Sequence, residues 1–227
     1  MGEMIEFPSN GGTAHGYLAA ADGGGPGVVV IQEWWGLVPH IKDVCDRFAA
    51  AGFTALAPDL YEGESTTEPD EAGKVMMALN TERAARDLTG AVSALEARDD
   101  VQGRGIGVVG FCMGGGLALY LATLRPDAVK AAVPYYGVIP WESVQPDYSA
   151  LEAVVIGHYA DGDAFLPVEQ VQALETQLKD LGKTAQLHVY EGTDHGFFND
   201  TRPDVYRAAP AQQAWDRTIA CFNEQLR

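Results

Sequence analysis

The sequence predicts an α/β fold, with a mostly parallel central sheet covered by helices on both faces, in a single domain over residues 1–227. Short runs rich in Val, Ile and Ala alternate with amphipathic segments along the whole chain. Such runs are typical of strands buried on both faces, and their alternation with helices is typical of parallel sheets. Polar side chains that follow strand ends are therefore the candidates for function, since parallel sheets carry their sites at the carboxyl ends of the strands.

Local signals support each element in turn. Residues 4–20 predict a hairpin, because the Asn-Gly-Gly segment at 10–12 favours a tight turn. The next strand is followed by a helix that begins near Pro39 and is closed by Gly52. After the hairpin, the predicted strands are 27–33, 53–61, 105–111, 128–137, 151–160 and 185–192, and the predicted helices are 39–50, 69–98, 113–124, 167–181 and 208–225.

Composition limits the classes of partner. The chain has 227 residues, with 15 basic and 32 acidic side chains and a formal charge of −17. Nucleic acids and anionic membranes require a basic surface, so we expect neither as a partner. Three scattered cysteines do not suit a disulfide framework or a zinc site. With no export signal and no membrane-spanning apolar run, we expect a soluble cytoplasmic protein, either a monomer or a small homo-oligomer.

The stretch GRGIGVVGFCMGGG, residues 103–116, allows two interpretations. The glycines Gly105, Gly107 and Gly110 match the dinucleotide-binding spacing G-x-G-x-x-G, while Gly110, Cys112 and Gly114 match the nucleophile elbow small-x-nucleophile-x-small. A dinucleotide turn requires a strand before its first glycine, but the polar connection 97–104 stands there. The elbow interpretation fits better, because a predicted strand ends just before the cysteine and a predicted helix follows it.

Cys112 is therefore the candidate nucleophile, near a helix N-terminus that favours the thiolate. Taken alone, a buried structural cysteine is an equally good interpretation. Asp163 and His195 shift the balance, because each follows a predicted strand in the order nucleophile, acid, base of α/β-hydrolases. His195 would take the thiol proton, and Asp163 would fix the tautomer of its ring. Asp161 and Asp194 are rival acids, and the loop pattern Asp-x-x-x-Pro favours Asp163.

Glu33 is a further strand-end residue, directly before Trp34 and Trp35. A carboxylate in this place could exchange a proton with a nearby thiol, or could simply accept hydrogen bonds from loop amides. The residues alone leave both roles open. The backbone N–H groups of Trp34 and Met113 are well placed for an oxyanion hole.

Together these residues resemble the dienelactone hydrolase family, α/β-hydrolases with a cysteine nucleophile. The matching segments are VVVIQEWWGL, APDLY, VGFCMGGGLAL, YYG, DGDAFLP and YEGTDHGFF, spread with consistent spacing over about residues 27–200. The resemblance implies an α/β-hydrolase fold in which Cys112 is the nucleophile and Asp163 and His195 complete the triad. It also implies that Glu33 helps to generate the thiolate when substrate binds.

Two departures from the family concern the substrate. Founding members hold the substrate carboxylate with arginines, one of them shortly after the triad histidine, where this chain has Asn199. The region 62–80, which should supply another, has Lys74 but no arginine. Arg202 is close enough to substitute, or is a surface charge. We expect the substrate pocket to be formed by the following residues, with core packing an equal alternative for the aromatic ones: Trp35, Tyr136, Trp141, Phe197, Asn199 and Arg202.

The sequence thus favours a hydrolase of small activated esters or lactones that works through a thioester on Cys112, without a cofactor. No metal is expected, because no pair among the other histidines has metal-binding spacing. The alternative is a non-catalytic protein that uses a hydrolase fold to bind a ligand or partner. The intact elbow, acid and base argue against this alternative, because binding requires none of the three.

Overall fold

The computed structural model describes residues 1–9 and 11–227. In this part of the chain, eight strands form one sheet, and there are six α-helices. The strands are β1 Glu3–Ser9, β2 Gly12–Ala19, β3 Gly25–Ile31, β4 Thr54–Pro58, β5 Val101–Phe111, β6 Val129–Tyr135, β7 Val154–Ala160 and β8 Ala185–Tyr190. The helices are α1 Pro39–Ala50, α2 Pro69–Met77, α3 Thr81–Glu96, α4 Met113–Leu124, α5 Val168–Asp180 and α6 Ala208–Leu226, and a short 3-10 helix spans Tyr148–Ala150. None of the helices so described is both long and apolar enough to cross a membrane.

The sheet is mostly parallel. Its strand order is β1-β2-β4-β3-β5-β6-β7-β8, and each neighbouring pair from β4 to β8 is parallel. The pairs β1–β2 and β2–β4 are antiparallel. The predicted α/β class is therefore confirmed. Because parallel strands end at the same edge, the segments that follow β3, β5, β6, β7 and β8 come together there.

Helices cover both faces of the sheet, as predicted. In β5, Gly107 packs against Phe222 of α6, whereas Gly110 packs against the start of α4. Strand residues three positions apart face opposite sides, so α6 and α4 cover opposite faces. On its face, α6 packs on α1, where the Phe48 ring lies 4.6 Å from Trp215 and 5.8 Å from Phe222.

Two predicted elements at the N-terminal half can be compared directly. The hairpin is confirmed by the pairing of Ser9 with Gly12, while Asn10 of its predicted turn lies outside the described residues. The helical region predicted over 69–98 is present, but it is divided into two helices, α2 and α3. Asn80 accepts a hydrogen bond from the N–H of Arg83 and so caps a new helix, a signal that the hydrophobic spacing did not reveal.

The segment before the glycine-rich stretch also differs from the prediction. Residues 97–104 were expected to be a polar connection, but β5 begins at Val101, which pairs with Gly25 of β3. The glycines at 105–110 therefore lie inside a strand and not in a turn after one. This placement argues further against a dinucleotide-binding turn.

A buried hydrogen-bond chain joins α6 to β6, β7 and the end of β8. Thr218 donates its hydroxyl hydrogen to the Ala214 carbonyl at 2.9 Å. The Thr218 oxygen must therefore accept from Tyr135, at 2.7 Å, and from His158 Nε2, at 3.1 Å. With its proton on Nε2, His158 accepts the Tyr190 hydroxyl at Nδ1, at 3.0 Å. The chain is thus satisfied with a neutral His158.

The charge of His158 differs between the folded and unfolded chain. Burial, with added effects from His188 and Arg217, lowers the pKa of His158 well below its ordinary value of 6.5. An unfolded chain would titrate this histidine near pH 6.5. Because the pKa of His158 is lower in the folded chain, its neutral form contributes fully to the free energy of unfolding above about pH 6.5. This contribution is lost as the pH falls below that value.

We expect the free energy of unfolding of the wild type to fall by about 1.4 kcal/mol more between pH 7.5 and 5.5 than that of His158→Gln, which cannot titrate there. Urea unfolding at the two pH values measures the difference. His15→Gln, which removes an exposed histidine, is the matched control. An equal pH dependence in the wild type and His158→Gln would contradict the neutral, buried assignment.

Candidate active site

Cys112 forms the sharp turn between β5 and α4. The strand ends at Phe111 and the helix begins at Met113, so one residue joins them. The backbone of Cys112 has φ 56° and ψ −124°, a conformation that few residues other than glycine adopt. Its N–H donates to the Tyr135 carbonyl, and its carbonyl accepts the N–H of Val138, both at 3.1 Å. The turn therefore has the geometry expected of a nucleophile elbow, at the carboxyl edge of the sheet.

The two glycines around Cys112 allow close backbone contact. A Cβ on Gly110 would lie within 3.0 Å of the Gly114 carbonyl, a separation that real Cβ atoms do not show. A Cβ on Gly114 would lie equally close to the carbonyls of Ile31 and Gln32, at the end of β3. The spacing small-x-Cys-x-small thus reflects the packing of α4 directly on β3 and β5.

His195 connects Asp163 with Cys112. The Nδ1 atom of His195 lies 2.8 Å from Asp163 Oδ2, and the Cys112 side chain is close enough to the ring to raise the pKa of His195. Asp163 is buried, and its Oδ1 accepts the N–H groups of Phe165 at 2.8 Å and of Leu166 at 3.2 Å. The loop after β7 therefore fixes the orientation of the Asp163 carboxylate toward His195. The three side chains form one continuous line of contacts.

The two rival carboxylates have other partners. Asp161 accepts a backbone N–H from the loop before His195, at 3.1 Å. Asp194 faces the guanidinium of Arg207, at 3.4 Å. Among the three acids considered from the sequence, the hydrogen bond to the imidazole is made by Asp163.

The contacts of His195 decide its charge. Burial by itself lowers the pKa of His195, but hydrogen bonds to Asp163 and Cys112, with the negative charges of both groups, outweigh burial and raise it to about 10. At neutral pH this arrangement favours a protonated imidazole.

Glu33 is buried and held by two neutral side chains. The Tyr136 hydroxyl donates to Oε1 at 3.1 Å, and the Asn199 amide donates to Oε2 at 2.8 Å. Burial, with the nearby charges of Glu33 and Cys112, raises the pKa of Tyr136 well above its ordinary value, so its hydroxyl remains a donor. The sequence left open whether loop amides hold this carboxylate, and the structure instead provides side-chain donors from the segments after β6 and β8.

A cavity of about 550 Å³ opens at these groups, and Glu33, Trp34, Cys112 and His195 line it. Of the six expected pocket residues, three are at its surface: Trp35, Asn199 and Arg202. Its apolar lining includes Pro69, Met76, Val138, Ile139, Phe165 and Val205. A mostly apolar cavity with a few polar groups at one end is typical of small-molecule sites. A larger cleft, of about 850 Å³ beside the N-terminal hairpin, is lined by none of the candidate catalytic residues.

The other three expected pocket residues do not line the cavity, and these expectations are wrong. Trp141 is buried and donates its Nε1–H to the Met76 carbonyl at 2.9 Å. Tyr136 and Phe197 are fully buried behind the site, where the Tyr136 ring lies 5.0 Å from the His195 ring and 5.6 Å from Phe197. The sequence indicated that these aromatic residues follow strands, but not the side to which each ring turns.

Some cavity residues were missed in the sequence. Phe165 is 64% exposed, and its ring meets His195 edge-on with centroids 5.0 Å apart. Its position in the loop just after Asp163 is a signal that could have indicated it. Pro69 and Met76 come from α2, and no motif connects that helix with the site.

The two cysteines outside the site are inert by burial. Burial raises the pKa of the Cys45 thiol above its ordinary range and that of Cys221 to about 12. Within residues 1–9 and 11–227, no group of three or more His, Cys, Asp or Glu side chains is arranged to hold a metal ion.

Comparison with known proteins agrees with this geometry. The model of the dienelactone hydrolase family matches residues 14–226. The chain is similar to the protein usf of Aquifex pyrophilus, with 38% identity over 232 residues that cover all of both chains. It is also similar to an Aquifex aeolicus protein provisionally named a carboxymethylenebutenolidase, with 34% identity over 233 residues and the same full coverage.

A solved structure shows the same fold. The crystal structure of a Klebsiella pneumoniae protein, provisionally named a dienelactone hydrolase, matches with a TM-score of 0.87 and 30% identity. The match covers 99% of this chain and 98% of that chain. The chain therefore belongs to the dienelactone hydrolase family and is a hydrolase with the α/β-hydrolase fold.

Proposed function

We propose that this protein hydrolyses small activated esters or lactones through a thioester on Cys112. The observation that carries the proposal is the line of contacts from Cys112 through His195 to Asp163 at the wall of an apolar cavity. A nucleophile, a base and a residue that orients the base are the parts that acyl transfer requires.

In the first half of the reaction, Glu33 accepts the thiol proton of Cys112 as the substrate binds, and the resulting thiolate attacks the substrate carbonyl to form a C–S bond. The carbonyl electrons move to oxygen, where the N–H groups of Trp34 and Met113 stabilise the negative charge. Met113 is the first residue of α4, where an N–H has no partner inside the helix. The intermediate then collapses, and the C–O bond breaks. The leaving oxygen takes the proton of the His195 imidazolium, and an acyl thioester remains.

In the second half, the now neutral His195 removes a proton from water as the water attacks the thioester. The C–S bond breaks, and the acid is released. The sulfur leaves as the thiolate and takes back its proton from Glu33, which restores the thiol beside a protonated imidazole, the starting state. Asp163 accepts the Nδ1–H throughout, so Nε2 is the atom that exchanges protons.

Glu33 has a separate part in this proposal. It lines the cavity at Cys112 but is held by Tyr136 and Asn199, and no cation is among these hydrogen-bond partners. When a substrate displaces solvent, a buried carboxylate without a cation is a ready acceptor for the thiol proton. We assign Glu33 the role of completing thiolate formation on substrate binding.

A non-catalytic ligand-binding protein is the alternative. Such a protein would have no use for the strained turn at Cys112 or for a histidine held by a buried carboxylate. The presence of both favours catalysis. A cytoplasmic location and a monomeric or small homo-oligomeric state stay predictions from the sequence.

The first test concerns the nucleophile. We expect Cys112→Ala to lower kcat/KM for 4-nitrophenyl acetate by at least about 10³-fold, because no other thiol borders the cavity in the described part of the chain. Cys221→Ala, which removes a buried thiol of α6, is the matched control and should keep its activity. In the wild type, one equivalent of iodoacetamide should inactivate the enzyme and appear on Cys112 by mass spectrometry. Full activity in Cys112→Ala would refute the mechanism.

The second test separates the candidate acids. We expect Asp163→Asn to lower kcat for the same ester by about 10³-fold, because the imidazole loses its Nδ1 acceptor and the carboxylate that raises its pKa. Asp161→Asn makes the same chemical change two residues away and should stay within about 3-fold of the wild type. A larger loss in Asp161→Asn than in Asp163→Asn would show that the acid is wrongly assigned.

The third test concerns Glu33. We expect Glu33→Gln to lower kcat by about 10- to 100-fold at pH 7 with little change in KM, because the thiol proton loses its acceptor. The loss should shrink as the pH rises, since bulk hydroxide then forms the thiolate directly. Tyr136→Phe removes one hydrogen bond from the carboxylate but keeps its charge, so its loss should be smaller and independent of pH. A pH-independent loss in Glu33→Gln would indicate a purely structural role.

A further inference from the structure

The charges around the cavity bear on which esters it accepts. Arg202 is the one Lys or Arg among the described residues that line the cavity. Its guanidinium lies over the ring of Trp35, 5.5 Å from the centroid, and both residues line the cavity. Considered by itself, Arg202 would be a receptor for a substrate carboxylate.

Arg202 already has a carboxylate partner. Its Nη2 atom lies 2.9 Å from Asp204 Oδ2. Both residues belong to one turn, in which the Arg202 carbonyl accepts the N–H groups of Val205 and Tyr206. The turn holds the two side chains close together, so little conformational entropy is lost when they pair. A substrate carboxylate would have to compete with a partner that is always present.

The acidic groups of the cavity add to this effect. Glu33 and Asp194 line it, and the second basic side chain on its wall, His195, is paired with Asp163. Asp194 faces an exposed arginine at 3.4 Å, whereas the hydrogen-bond donors of Glu33 are neutral. Among the described residues that line the cavity, each basic side chain is thus paired with a carboxylate. The whole chain has a formal charge of −17.

We propose that the cavity selects esters and lactones that carry no carboxylate, because Asp204 occupies Arg202, Asp163 occupies His195, and Glu33 and Asp194 add negative charge to the lining. The selectivity rests on the hydrolytic function proposed above, but it is a property of the cavity and can also be measured by binding. Asp204 is in this scheme a specificity-determining residue that does not touch the reacting atoms.

The test compares two aryl acetates that differ in one group, 3-acetoxybenzamide and 3-acetoxybenzoate. We expect kcat/KM of the wild type to be about 5-fold or more higher for the uncharged amide. Asp204→Asn keeps the size of the side chain but frees Arg202, and should raise the carboxylate-to-amide ratio of kcat/KM by about 2- to 5-fold, the range for an exposed ion pair. The increase should diminish at high salt.

Asp22→Asn is the matched control, because it removes one exposed negative charge before β3, at the opposite edge of the sheet from Glu33. It should leave the ratio unchanged. Equal or faster hydrolysis of the carboxylate by the wild type would overturn the proposal, and so would a ratio in Asp204→Asn that matches Asp22→Asn.

Binding distinguishes this proposal from the hydrolytic one. Calorimetric titration of Cys112→Ala with 3-hydroxybenzamide and 3-hydroxybenzoate reports the preference of the cavity without turnover, and the amide should bind more tightly. If neither ester shows Cys112-dependent hydrolysis, the catalytic proposal fails while the ratio of the two Kd values still decides the selectivity. Tighter binding of the benzoate would overturn the selectivity alone.

Discussion

The position of Cys112 depends on direct contact between the backbones of α4 and β3. This contact leaves no room for a side chain. The first turn of α4 lies against the last residues of β3, with Gly114 on the carbonyls of Ile31 and Gln32. This contact brings the residue after β5 beside Glu33, the carboxylate near the end of β3. The left-handed turn costs on the order of 1–3 kcal/mol, and the burial of nearly all of α4 offsets that cost.

A second set of contacts connects the remaining strand ends to this centre. The carboxylate of Glu33 joins Tyr136, just after β6, to Asn199, which follows β8. The Tyr136 ring in turn packs beside His195, so the same residue supports both the carboxylate and the imidazole. Three segments that are distant in sequence are thus fixed relative to one another by buried side chains. This arrangement limits the freedom of the carboxylate and of the imidazole, which is the preorganisation that the proposed acyl transfer needs.

The fold and the positions of the candidate catalytic residues could be predicted because they follow local rules. Strands buried on both faces are recognisable from composition, and a parallel sheet brings their ends together, so Asp163 and His195 could be placed near Cys112 without coordinates. The direction of individual rings could not be predicted, since Tyr136 and Trp141 turn into the core for reasons of long-range packing. The division of the helical region at Asn80 could not be predicted either. It depends on a single N-cap, whereas the hydrophobic pattern continues through the break.

The features that decide reactivity and those that decide specificity lie in different parts of the chain. The proposed catalytic residues follow the ends of buried strands, which the sheet holds rigidly. The apolar and charged lining comes instead from loops and from α2, where a substitution disturbs little of the core. The ion pair of Arg202 with Asp204 is contained within one such turn. A single carboxylate in this turn can neutralise the one arginine among the described lining residues without altering the proposed triad. The preference for substrate charge can therefore change while the catalytic geometry stays the same.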